Sequence, residues 1–171
     1  MKIKFLGVLA LVFSAGLFTA CDKDDDPKVE LSAAKDNAGE WWVKYEVADE
    51  DGVYSDIYGA GYTHLYTYNT ADNVSDKLWV SDEHNFWDYR VKTNLDPGNR
   101  TFSSTGQKSA VPEYDIVVDI TDGKILKDAG RTASGKTVDS IAFFIKFEDD
   151  TDGFTYRVSG HRRTGVPEDE H

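Results

Sequence analysis

The chain has 171 residues, with 31 Asp and Glu against 19 Lys and Arg, and one Cys. Its first 20 residues hold two of the bases, Lys2 and Lys4, and no acid, so the chain from Cys21 onward carries 31 acids against 17 bases. That length suits one domain with a single core, the charge argues against nucleic acid or an anionic lipid surface as partner, and one Cys excludes an internal disulfide framework and Cys-rich zinc sites.

Met1-Lys2-Ile3-Lys4 is a short basic segment, followed by a nearly unbroken apolar run from Phe5 to Phe18. Fourteen helical residues span only about 21 Å, short of a ~30 Å hydrocarbon core, so residues 1–20 read as a cleaved export signal. Phe18-Thr19-Ala20-Cys21 resembles the lipobox of a bacterial lipoprotein, with Phe18 replacing the usual aliphatic residue. The resemblance implies lipidation of Cys21, and hence membrane attachment by several acyl chains. Asp22-Lys23-Asp24-Asp25-Asp26-Pro27 cannot bury itself and stays solvated, which makes residues 21–39 an acidic tether. The run also resembles the Lys-Asp-Asp type surface-export signal of Bacteroidetes lipoproteins, which implies an outer-membrane, cell-surface location.

From residue 40 the chain alternates with the period of half-buried strands. Trp41, Val43, Tyr45 and Val47 share one face of the first, and Asp49-Glu50-Asp51-Gly52 supplies a turn. Strands are expected over 61–68, with Tyr62, His64, Tyr66 and Tyr68 aligned, over 77–81, and over 86–94, with Trp87, Tyr89 and Val91 aligned. Further strands are expected over 101–109, 114–121, 124–127, 140–147 and 154–160, with Asp122-Gly123 read as a two-residue hairpin. About nine short strands and no convincing helix predict an all-β domain over residues 40–171. A small antiparallel up-and-down barrel is favoured over a sandwich, because closure removes exposed edges. The remaining acidic charge reads as spread over turns and outer faces, with no block that names a substrate.

Several motifs fit on paper and fail in context. Gly130 to Thr137 matches the phosphate-loop pattern, but a period-two, β-branched segment follows where the anion-binding helix belongs, so no nucleotide is expected. Glu148, Asp150, Asp152 and Gly153 follow calcium-loop spacing, but Ser159 stands where the bidentate Glu is required. His64, His84 and His161 have no zinc spacing, and neither a cofactor nor a metal is called for. Ser159 and His161 share a strand face and are the weak candidates for a nucleophile and its base; no nucleophile elbow accompanies them.

Four stretches together resemble the lipocalin-like, lipid-binding putative hydrolase lipoproteins of Bacteroidetes. They are Gly39-Glu40-Trp41-Trp42-Val43, Asn85-Phe86-Trp87-Asp88-Tyr89 with Arg90-Val91-Lys92, Asp139-Ser140-Ile141, and the closing Val158-Ser159-Gly160-His161-Arg162-Arg163-Thr164-Gly165. The resemblance implies a calycin-type barrel with an apolar ligand, and transfers no catalytic residue. The favoured expectation is a monomeric, membrane-anchored barrel that binds a small hydrophobic molecule, a lipid or fatty acid. Trp41, Tyr45, Trp87, Tyr89, Phe143 and Tyr156 are the candidate lining, and Arg162 or Arg163 the candidate partner of a carboxylate head. The alternatives are a hydrolase of lipid-like esters through Ser159 or His161, and a non-catalytic surface subunit of a nutrient-uptake or glycan-binding assembly with Trp42 and Trp79 as contacts.

Overall fold

In the computed structural model, which describes residues 31–171, the period-two segments form nine strands. The export signal, Cys21 and residues 22–30 of the tether lie outside the described residues. The strands are β1 (Gly39–Ala48), β2 (Tyr54–Ser55), β3 (Thr63–Tyr68), β4 (Lys77–Ser81), β5 (Arg90–Asp96), β6 (Thr101–Lys108), β7 (Val117–Arg131), β8 (Thr137–Phe147) and β9 (Tyr156–Arg162). Each neighbour is antiparallel, in the order β1-β3-β4-β5-β6-β7-β8-β9, and β9 pairs back onto β1. The result is a closed eight-stranded up-and-down barrel, with β2 as an extra strand on the end of β1.

The closing seam runs from Trp41 opposite Arg162 to Glu46 opposite Arg157. At its centre Gly160 meets Val43, and a Cβ on Gly160 would stand 1.9 Å from the Trp42 carbonyl oxygen. The backbones approach this closely only because that side chain is absent.

Alternation places the inward residues as expected along β1, with Trp41, Val43, Tyr45 and Val47 all buried. On β3 the inward residues are Leu65 and Thr67, so Tyr62, His64, Tyr66 and Tyr68 form the outer face. Ile141, Phe143, Ile145 and Phe147 of β8 complete one contiguous core with Leu78, Val80, Val91, Val118, Ile120 and Val158. Burying each aliphatic side chain of this kind contributes about 1.5–3 kcal/mol.

Two local expectations are corrected, and the loop expected in place of a phosphate site is present. Asp122-Gly123 is not a hairpin but an irregularity inside the single 15-residue strand β7. Asp122 takes φ 53°, and Gly123 leaves room for Phe102, whose carbonyl oxygen would lie 2.4 Å from a Cβ there. Across-strand packing of Phe102 on Gly123 thus overrides a local turn signal. The strand expected over 86–94 begins at Arg90 instead, because residues 82–89 form a held loop. Residues 132–136 turn β7 into β8, with the Thr132 N–H donating to the Lys136 carbonyl at 3.1 Å and Gly135 at φ 85°.

Candidate functional site

Antiparallel order brings the β1–β3, β4–β5, β6–β7 and β8–β9 connections out at one end of the barrel. The β4–β5 connection folds back across that end because a buried carboxylate holds it. Asp82 has no exposed surface. Its Oδ2 accepts the backbone N–H groups of Phe86, Trp87 and Asp88 at 3.0, 2.7 and 3.1 Å, and its Oδ1 accepts that of Tyr89 at 2.9 Å. Such charge-assisted bonds are roughly twice as strong as neutral ones. Glu83, His84 and Asp88 take left-handed φ of 48°, 65° and 62°, which winds the loop tightly around that carboxylate.

Held in this way, the loop delivers two rings onto the core. Phe86 stacks on Tyr45 at 4.0 Å between centroids, and Trp87 stacks on Phe147 at 4.6 Å. The Trp87 indole N–H donates to Asp149 Oδ1 at 2.9 Å, and the Tyr114 hydroxyl donates to the other oxygen of Asp149. The Tyr156 hydroxyl donates to Asp150 Oδ2 at 3.0 Å and lies 3.3 Å from the Tyr58 hydroxyl. Beneath them the Tyr45 and Tyr89 hydroxyls meet at 3.0 Å.

Burial, reinforced by the Asp149 carboxylate, pushes the Tyr114 hydroxyl up to about 12. Burial also raises Tyr156, helped by Tyr58 and Asp150, and raises Tyr45 and Tyr89 well above the usual phenol range. These hydroxyls therefore stay protonated at neutral pH and serve as donors, not as bases.

Outside the stacked rings lies a groove of about 410 Å³ lined by Tyr58, Ala60, Asn85, Phe86 and Trp87. The β1–β3 connection that supplies Tyr58 also exposes Val53 and Ile57, at 61% and 49% of their surface. A concave surface walled by aromatic rings is the kind of feature that ligand sites share.

The candidate lining residues divide between the two ends. Tyr45, Trp87, Tyr89 and Tyr156 gather around this groove, although Tyr45, Tyr89 and Tyr156 are at most 1% exposed and fill the barrel beneath it. Phe143 sits deeper, opposite Val158 and packed on Phe102 at 5.6 Å. Trp41 and Arg162 lie toward the other end, since Tyr156 and Arg162 are the first and last residues of β9, six steps or about 20 Å apart along a strand. There the Trp41 indole donates to Thr67 Oγ1 at 2.9 Å, and the Arg162 guanidinium lies 4.7 Å over the Trp41 ring. Arg162 also donates to the Ala38 carbonyl at 2.9 Å and stands 3.7 Å from Asp139, while Arg163 pairs with Glu40 and Glu170.

Ser159 and His161 are on the outer face of β9. The two His161 nitrogens lie 3.3 Å from the Arg162 carbonyl and from His171 Nε2, and among the described residues no hydrogen bond joins Ser159 to His161. Burial lowers the His171 pKa, and the neighbouring His161 and Lys44 lower it further. Trp42 is 5% exposed, covered by His64 at 3.9 Å and by His171. Trp79 lies under the Lys92 ammonium at 5.2 Å. Among the described residues no three His, Cys, Asp or Glu side chains converge as metal ligands. Sequence reasoning did not single out Asp82, Tyr58, Tyr114 or Asp149; the one local signal was an Asp opening a short loop, a position suited to capturing backbone amides.

The chain matches, over residues 26–167, the model of a family described as "lipid-binding putative hydrolase". No curated protein matches it. Among solved structures it is similar to a crystal structure of a protein of unknown function from Bacteroides ovatus, with 12% sequence identity and a TM-score of 0.47. That similarity covers 75% of this chain and 42% of the other, so the chain spans less than half the length of that protein.

Proposed function

We infer the function from the family to which the chain belongs, the lipid-binding putative hydrolases, and from the aromatic groove at one end of its barrel. In this reading the protein is a cell-envelope lipoprotein, held at the outer membrane by lipidated Cys21 and facing outward, whose barrel takes up a lipid-class ligand as a monomer. The observation that carries the reading is the groove of Tyr58, Ala60, Asn85, Phe86 and Trp87. It is concave and apolar, and it joins rings that continue into the core.

An acyl chain laid in the groove removes the exposed faces of Tyr58 and Phe86 from water, at ~25 cal/mol for each Å² buried. Phe86 and Trp87 stand between the groove and Tyr45, Phe147 and Tyr156. A longer chain therefore enters deeper only when these two rings swing aside on the Asp82-held loop. The lining carries two polar side chains, Tyr58, whose hydroxyl meets that of Tyr156, and Asn85, whose amide nitrogen donates to the Asp82 carbonyl, which leaves the Asn85 side-chain oxygen to meet a head. No hydrolytic step is assigned, because the His161 nitrogens are engaged away from Ser159.

The test uses 1-dodecanol, whose uncharged head isolates the contribution of the chain. Saturable binding followed by tryptophan fluorescence and native mass spectrometry is expected, with at least a tenfold loss in Ala60→Trp, which fills the groove. No binding, or binding indifferent to Ala60→Trp, would refute the groove. The anchor is tested separately: labelled palmitate enters the wild type and not Cys21→Ala.

A further inference from the structure

The two ends of the barrel differ sharply in charge. The connections at the groove end are residues 49–62, 82–89, 109–116 and 148–155. Together they hold 13 Asp and Glu and no Lys or Arg, half of the 26 acids in residues 31–171. The opposite end, formed by residues 31–38, 69–76, 97–100, 132–136 and 163–171, holds 6 acids and 4 bases. The acidic excess that reads as dispersed along the sequence is thus sorted by up-and-down topology, which sends every second connection to the same rim.

The groove opens inside that rim. Asp149 and Asp150 are hydrogen-bonded to the side chains of Trp87 and Tyr156, and Asp56 accepts the backbone N–H of Ala60 at 3.2 Å and of Gly61 at 2.7 Å. The cations that flank these connections in sequence are already engaged: Arg90 donates to the Ala110 carbonyl at 2.7 Å, Lys108 pairs with Asp115 at 2.6 Å, Arg157 bonds Glu46 at 2.8 Å and covers the Tyr54 ring, and Lys44 lies over Tyr62. Like charges gathered around one cleft add their potentials, and a low-dielectric aromatic wall focuses the field. A carboxylate or phosphate head entering here meets the net repulsion of the acidic rim. An ammonium head meets attraction, together with the faces of aromatic rings that stabilise cations.

We propose that the groove selects a cationic amphiphile: a single alkyl or acyl chain bearing an ammonium head, with the chain along Tyr58, Phe86 and Trp87 and the head toward the acidic rim. This rests on the groove reading above and specifies its ligand class. Arg162, the candidate partner of a carboxylate head, belongs to the other end of the barrel and does not oppose this selection.

The experiment compares three probes of equal chain length, dodecylammonium, 1-dodecanol and dodecanoate, each below its micellar concentration at pH 7 in EDTA. At 20 mM salt, dodecylammonium is expected to bind at least tenfold tighter than the alcohol, and dodecanoate weaker than the alcohol. Raising salt to 0.5 M brings the three together, because screening shortens the field to a few ångström. Replacing three exposed rim acids (Glu50→Gln, Glu113→Gln and Asp152→Asn) is expected to reduce the ammonium preference several-fold and leave 1-dodecanol binding unchanged. The same charge change at the far end (Asp36→Asn, Asp76→Asn and Glu168→Gln) should leave the preference intact. Equal affinity for the three probes at low salt, or a preference for dodecanoate, overturns the proposal while the groove stands. Failure of all three to bind overturns the groove and the proposal together.

Discussion

Removing the Asp82 carboxylate should release the loop that closes the groove end of the barrel. Four backbone N–H groups converge on that side chain, and the residue has no exposed surface. In Asp82→Ala the Tyr89 amide, the most buried of the four, is left without an acceptor, at a cost of ~1–3 kcal/mol. The amides of Phe86, Trp87 and Asp88 are part-buried and recover water, so each forfeits only the net value of its bond, ~0.5–1.5 kcal/mol. Together these give about 2.5–7.5 kcal/mol, a large share of the 5–15 kcal/mol that holds a typical domain folded. The Asn variant keeps one oxygen, enough for the three amides on Oδ2, and turns an amide nitrogen toward the Tyr89 N–H. It should lose about 1–3 kcal/mol. Urea unfolding supplies the free energies, and hydrogen exchange locates them: Asp82→Asn should deprotect the Tyr89 amide most, and Asp82→Ala all four. An Asp82→Ala protein within 1 kcal/mol of wild type, or with its loop amides still protected, would refute the role given to this carboxylate.

Two further outcomes follow from packing and ionisation. Gly160→Ala places a Cβ against the Trp42 carbonyl at the seam and should cost more than ~3 kcal/mol, as overpacking against backbone does; near-UV circular dichroism should show a lower melting temperature or loss of the folded signal, and an unchanged melt would contradict the seam. In alkaline titration followed at 295 nm, Tyr114 should ionise near 12 and Tyr45, Tyr89 and Tyr156 later than a free phenol. A raised folded-state value means that these protonated hydroxyls stabilise the fold fully below the unfolded phenol value of about 10, and that the contribution disappears as pH rises through the folded values. Tyr114→Phe should remove the step near 12; a single transition near 10 for every tyrosine would show the network to be absent.

Much of the barrel was legible because period two is written directly into β1, β3 and β8. Trp41, Val43, Tyr45 and Val47 turn inward as their spacing requires. Errors arose where a distant partner decides the outcome. Asp122-Gly123 has turn chemistry, yet the ring and carbonyl of Phe102 need the space that Gly123 leaves, and the chain runs straight on. Phe86 and Trp87 continue the alternation of Tyr89 and Val91, yet Asp82 captures their amides and folds them into a loop. Trp42 alternates outward and is nevertheless buried, because His64 and the distant His171 cover it. The site was harder still. Which connections share an end depends on strand order, so the concentration of acid around the groove could not be read from any one segment. The family resemblance implied a lipid-class ligand, but not which end of the barrel to propose for it.

The pairing of β9 with β1 has a further consequence for the order of events as the chain is made. Trp41 must wait for Arg162, so one edge of the first strand stays open until the last strand of the barrel has been made. Neighbouring strands can pair as they appear, but an unclosed sheet keeps two edges that invite association with other chains. Contacts this remote in sequence also form slowly. Closure is therefore a late, all-or-none event, and a chain that stops short of β9 lacks the partner for its own beginning.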